Sequence, residues 1–156
     1  MCFLSGKSED DLSVKDVKSI VSKIAYFGTS KLSRSLILLH SYLYAGENQN
    51  ELFDNDVEIE HILPKKWQET NYNGWLYEDA EQYLEKLGNK IPFEKRLNIQ
   101  AGNGYFGIKK EKYEESKVYE VKNLAKYYKN DWVKEDIEKR EGELIDVLTK
   151  FFNENL

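Results

Sequence analysis

The run Asp56-Val-Glu-Ile-Glu-His-Ile-Leu-Pro64 decides how this chain folds. From Val57 to Glu60 apolar and charged side chains alternate with the period of two that sends neighbours to opposite faces of a strand. Pro64 closes the run, having no amide hydrogen to give to a ladder. At the strand's end stands the pair Glu60-His61. In an ideal pleat these two side chains diverge, so they meet at one substrate only if the backbone departs from regular pleat near Pro64.

Outward from this stretch the period becomes helical. Val17, Ile20, Val21, Ile24 and Phe27 keep the i, i+3, i+4, i+7 spacing of an amphipathic helix that Gly28 stops. A second helix is predicted from about Ser30 to Ala45, with Leu32, Leu36, Leu39 and Leu43 on one face and Gly46 to Asn50 as the loop after it. His40, among leucines, reads as a partly buried helix histidine without a role. On the other side, Asn71-Tyr-Asn-Gly74 is a turn. Tyr77 to Leu87 is a short helix with Ala80, Tyr83, Leu84 and Leu87 inward and Gly88 as its stop. Lys90-Ile-Pro-Phe93 is a short strand that Pro92 assigns to an edge. Asn98 to Gly107 reads as a loop before a helix near Tyr105 to Ser116. From Val133 a long helix carries Ile137, Leu144, Ile145, Leu148, Phe151 and Phe152 on one stripe. Within the loop, Gly102-Asn-Gly-Tyr-Phe-Gly107 matches G-x-G-x-x-G in letters but has no βαβ unit around it, so it is a glycine turn before a helix.

Composition bounds the chemistry. The 156 residues suit one domain, and 40% hydrophobic with 13% aromatic residues exclude a disordered tail. The single Cys2 forms no intrachain disulfide and no Cys-rich zinc site, which suits a reducing compartment. With only His40 and His61, a multi-histidine metal site is impossible within one chain. Any bound metal would rest on oxygen ligands, which favours magnesium, manganese or calcium. The first residues hold an apolar run far too short for a signal peptide, and Leu36 to Leu39 is the longest apolar stretch, whereas a bilayer crossing needs about 20 residues. A cytoplasmic protein without membrane contact is expected.

The net charge of −5 is unevenly spread. Between Lys86 and Lys112 seven basic residues face Glu94 and Glu111, leaving +5 on that strip and −10 on the rest of the chain. A basic strip on an acidic protein is what contact with a phosphate backbone requires.

Glu60-His61-Ile62-Leu63-Pro64, Leu87-Gly88-Asn89, Asn98, Asn103, Phe106, Lys109-Lys110 and Tyr113, taken together, resemble the HNH, or His-Me finger, nuclease domain. More narrowly they resemble the C-terminal nuclease domain of GmrSD-type modification-dependent restriction proteins. Two departures are visible: Glu60 stands where many HNH enzymes have Asp, and Lys90-Ile-Pro-Phe93 follows Leu-Gly-Asn where relatives continue with apolar or Thr residues. The resemblance implies an α+β, mostly helical single domain over 1–156, with a small ββα (His-Me finger) centre at 56–116 flanked by helices at 13–46 and 117–153.

It further implies a metal-dependent endonuclease or nickase acting on DNA, with RNA left open, in restriction of foreign or modified DNA. His61 would be the general base and Asn89 its orienting partner, bonded to backbone or to the imidazole. Glu60 and Asn98 would hold one Mg²⁺ or Mn²⁺, with Asn103 a further ligand or, by preference, a helix cap. Lys65, Lys66, Lys90, Lys95, Arg96, Lys109 and Lys110 would follow the nucleic acid. A nucleotide-binding or sensing domain would lie N-terminal on the same chain or on another. The competing expectations are a degenerate HNH-like module that binds nucleic acid or a partner protein without cutting, and a helical interaction domain of a larger protein.

Overall fold

The structure, a computed structural model, describes residues 14–27, 30–67 and 74–155. It is an α+β fold, mostly helical, around one two-stranded antiparallel sheet. Helices α1 (Val14–Phe27) and α2 (Ser30–Ala45) precede strand β1 (Val57–His61). Helix α3 (Tyr77–Leu84) and a 3-10 turn (Leu87–Asn89) lead to strand β2 (Lys90–Glu94). Then follow α4 (Lys95–Ala101), α5 (Phe106–Glu114), α6 (Tyr119–Leu124) and the long α7 (Lys134–Asn155). Gly28 and residues 71–73, expected as a stop and a turn, lie outside the described residues.

The alternation at Val57 to Glu60 becomes a regular ladder. β1 pairs with β2 from Val57↔Glu94 to His61↔Lys90, with Ile59 opposite Pro92. Both strands are edges, so the missing Pro92 amide costs no interior bond. Regular pairing as far as His61 means that the pleat is not broken there. Glu60 and His61 therefore face opposite sides, contrary to the convergence a shared site would need.

Each face of the hairpin has its own core. One packs Ile91 and Phe93 against Leu97, Phe106, Tyr113, Trp132 and Ile137. The other packs Ile59 against Leu36, Ile37, Val21, Leu87, Leu144 and Leu148 from α1, α2 and α7. On α2 the buried side chains are Ser33, Leu36, Ile37, His40, Ser41 and Ala45 among the described residues, while Leu32 is exposed. Three of the four predicted leucines, Leu36, Leu39 and Leu43, pack on the core, and the inward face widens to take in Ile37 and His40.

Three further expectations change. The helix ending at Leu87 stops at Leu84. Leu87–Asn89 instead forms a 3-10 turn pressed on α7, where a Cβ at Gly88 would lie 2.0 Å from the Ile137 carbonyl oxygen, so only glycine fits. Arg140 Nη1 donates to the carbonyls of Leu87, Gly88 and Lys90 at 3.3, 3.0 and 2.8 Å, which fixes this turn before β2. Asn98 sits within α4 rather than in a loop. The glycine turn shrinks to the α4–α5 junction, with Gly102 at φ 56°, and as expected no strand precedes it there.

Candidate active site at the end of the hairpin

Asn89 sets the geometry. It is wholly buried, its Oδ1 accepts from the Leu63 amide at 2.8 Å, and its Nδ2 donates to the carbonyls of Leu63 and Leu84 at 3.0 and 3.1 Å. Its own carbonyl accepts from the Ile62 amide at 2.9 Å. One side chain thereby satisfies the backbone where β1 ends and holds the segment after His61 against the turn before β2. Asn89 bonds to backbone, not to the imidazole, so its place is structural positioning rather than contact with a reacting group.

His61 then faces a recess of about 370 Å³ between the hairpin and α2, walled by Lys31, Arg34, Lys65, Lys90, Glu58 and Glu85. Its Nε2 is buried and lies 3.4 Å from Glu85 Oε1 without the alignment of a hydrogen bond. Burial foremost brings the imidazole down to about 4, with Lys65 and Lys90 adding to the fall and Glu85 opposing it. His61 is therefore a neutral base at pH 7. Burial alone would raise the Glu85 carboxyl, but its hydrogen bond from Lys90 and the charges around it hold it at about 2. Lys90 Nζ lies 2.7 Å and Lys65 Nζ 3.2 Å from Glu85.

The opposite face holds a different arrangement. Glu60 Oε1 is ion-paired with the wholly buried Lys109 and accepts from the Tyr113 hydroxyl at 3.1 Å. Lys109 Nζ also donates to the carbonyls of His61 and Ile62 at 2.9 and 3.4 Å. Burial pushes the Glu60 carboxyl up and the Lys109 ammonium down, each resisted by the partner's charge. The pair anchors α5 to the end of β1.

This placement corrects the expectation for Lys109, which has no surface from which to meet a phosphate. Lys110 is also committed, with Nζ donating to the carbonyls of Tyr127 and Lys129 at 2.5 and 2.6 Å. Lys65 and Lys90 stand in the His61 recess; Lys66, Lys95 and Arg96 are exposed elsewhere. The N-cap position of α5 is Tyr105, not Asn103. The sequence reading missed Lys31, Arg34 and Glu85. The i, i+3 spacing of Lys31 and Arg34 marks one helix face, but nothing in it points to a strand some thirty residues away.

Glu60 and Asn98, implied ligands of one divalent cation, do not fit that group as placed. Glu60 Oε1 is taken by Lys109 and Tyr113, and the Asn98 amide nitrogen is turned to Glu58 Oε2 at 3.4 Å. Among the described residues no group of three His, Cys, Asp or Glu side chains is arranged to hold a metal ion.

Fold and recess together define a small α+β domain that presents one neutral histidine among cations, an arrangement suited to phosphate chemistry. Residues 13–147 match the family model described as GmrSD restriction endonucleases, C-terminal domain. The chain belongs to this family, and so to domains related in function to restriction-endonuclease nucleases. Neither the comparison with curated proteins nor that with solved structures finds a match. No helix among the described residues is long and apolar enough to cross a membrane.

Proposed function

We propose that this domain is an HNH-type endonuclease or nickase that hydrolyses DNA phosphodiester bonds, with His61 as general base, in restriction of foreign or modified DNA in the cytoplasm. The observation that carries the reading is a neutral imidazole at a strand end inside a recess lined by Lys31, Arg34, Lys65 and Lys90. The cations attract the phosphate and offset charge gathering on its oxygens as water attacks. Because Nε2 is buried against Glu85, removal of the water's proton falls to Nδ1. The new P–O bond then forms as the bond to the 3′-oxygen breaks, and that oxygen takes a proton from solvent. Asn89 keeps the strand end in place throughout. A sensing or nucleotide-binding domain, on this chain or another, would choose the target.

The test is nicking of supercoiled plasmid by wild type and His61→Ala, each with Mg²⁺, with Mn²⁺ and with chelator, and RNA as a parallel substrate. The expected loss for His61→Ala is about 10²–10⁴-fold, the usual weight of a general base. Equal rates in both would overturn the role of His61. The engagement of Glu60 by Lys109 favours a second reading, a module that binds DNA without cutting it. DNA retention at low salt with no nicking under any of the three conditions would select that reading.

A further inference from the structure

The carboxylate that meets His61 is Glu85, the C-cap residue of α3, whose Oε1 lies 3.4 Å from Nε2. Two devices hold it there. The buried Asn89 amide donates to the Leu84 carbonyl, just before Glu85, at 3.1 Å, and it bonds both the amide and the carbonyl of Leu63, two residues after His61. Imidazole and carboxylate are therefore carried by backbone that one side chain ties together. Lys90, opposite His61 in the ladder, brings Nζ to 2.7 Å from Glu85 Oε2, which leaves Oε1 for the imidazole and Lys65.

A neutral imidazole carries one proton on one of its two nitrogens, and the nitrogen that carries it cannot accept another. Nε2 of His61 is buried and has no aligned hydrogen-bond partner, so the charge beside it decides its state. Glu85 is ionised at neutral pH. Facing a carboxylate oxygen, a bare nitrogen lone pair is repelled and an N–H is attracted. The proton is thus drawn to Nε2, and Nδ1 keeps its lone pair.

We propose that Glu85 is a positioning residue for His61, fixing the Nε2–H tautomer and so keeping Nδ1 free to take a proton. The use of that tautomer rests on the nuclease reading, in which Nδ1 accepts the attacking water's proton, but the tautomer itself is a property of the free protein. When Nδ1 takes the proton the ring becomes an imidazolium, and the Glu85 charge offsets the new positive charge. Glu85 acts through His61 and touches no substrate atom in this role.

The measurement is long-range ¹H–¹⁵N NMR of the imidazole nitrogens in the whole chain at pH 7, where only His40 and His61 contribute and the His61 signals are those lost in His61→Gln. Wild type should show the Nε2–H pattern. Glu85→Gln should shift it toward Nδ1–H, because Lys90 claims the amide oxygen and turns the NH₂ group to Nε2, which must then accept. The Glu85 side chain is 62% exposed, so this variant leaves the core intact. Glu58→Gln, which removes the other carboxylate of the recess, should leave the His61 pattern unchanged. In plasmid nicking, Glu85→Gln should lose about 10²-fold in kcat, within the weight of a general base, without a rise in KM, since it takes a negative charge out of the recess. A tautomer that follows Glu85 in a protein that nicks nothing would uphold this inference and end the nuclease reading. Nicking by wild type, with the same His61 pattern in wild type and Glu85→Gln, would do the reverse. A wild-type Nδ1–H pattern would also overturn the inference, as would an equal shift in Glu58→Gln, which would trace the effect to the total charge of the recess.

Discussion

Glu60 and His61 are adjacent in sequence and opposite in circumstance. On one face of the hairpin the carboxylate is sealed under α5 with Lys109 and Tyr113; on the other the imidazole looks into a recess edged with cationic side chains of α2 and the strand ends. The difference comes from a pleat that stays regular through His61↔Lys90. One face is therefore dry and its ion pair is sealed, while the other is partly wet and its Lys65–Glu85 pair is open to solvent. Adjacency of an acid and a histidine does not make a site; the side of the sheet does.

The sharpest way to break this contrast is to remove the cation on the sealed side. Lys109→Met leaves Glu60 buried with only Tyr113, and losing one partner of a buried ion pair costs about 3–5 kcal/mol. Against a total stability of about 5–15 kcal/mol, urea denaturation should show a fall that approaches unfolding. The double variant Glu60→Met/Lys109→Met should recover part of the loss, since no charge is then left buried without its partner, while the His61 and Ile62 carbonyls still lose their donor. A single-variant loss under about 1 kcal/mol, the scale of an exposed pair, would mean that the face is not sealed.

The open side gives the next effect, through pH. His61 is held at about 4 in the fold against about 6.5 when unfolded, so between these values the unfolded chain binds the extra proton. The stability linked to His61 is thus fully present above pH 6.5 and is lost as pH falls through 4, by about 3 kcal/mol in all. Urea midpoints of wild type and His61→Gln, compared from pH 7 to 4, should converge or cross by that amount, because the variant has no imidazole to charge. A constant difference would show that the ring is not held neutral by burial. The acid limb of the nicking rate should likewise lie below the pH at which a free histidine titrates.

Much of the scaffold was legible beforehand because periodicity reports burial. The alternation at Val57 to Glu60 and the stripe from Ile137 to Phe152 each became the expected element. What the pattern could not convey was which face a turn or a neighbour would claim. Leu87 looks helical, yet the carbonyls around it are needed by Arg140, 53 residues later. Of the two partners the sequence leaves open to Asn89, backbone and imidazole, the buried side chain takes the Leu63 backbone. The charge strip was the most misleading signal. Lys109 is inside and Lys110 is spent on carbonyls, whereas half the cationic wall of the recess, Lys31 and Arg34, comes from a helix outside the strip. A sum of charges along the chain is blind to which ammonium groups face inward.

That redistribution yields the smallest and most discriminating expectation. Lys65 is 62% exposed beside His61, whereas Lys110 is tied to the Tyr127 and Lys129 carbonyls. If the recess receives the phosphate backbone, Lys65→Ala should weaken DNA binding only a few-fold and lower the slope of log affinity against log salt by about one, the loss of one neutralised phosphate. Lys110→Ala should leave that slope unchanged and instead lower the denaturation midpoint, since its removal leaves two carbonyls without their donor. Filter binding across a salt series reads the first effect, and urea melts read the second. The reverse pattern, with the slope following Lys110 and not Lys65, would place the nucleic acid along α5 and away from His61, and the two faces of the hairpin would have to exchange their roles.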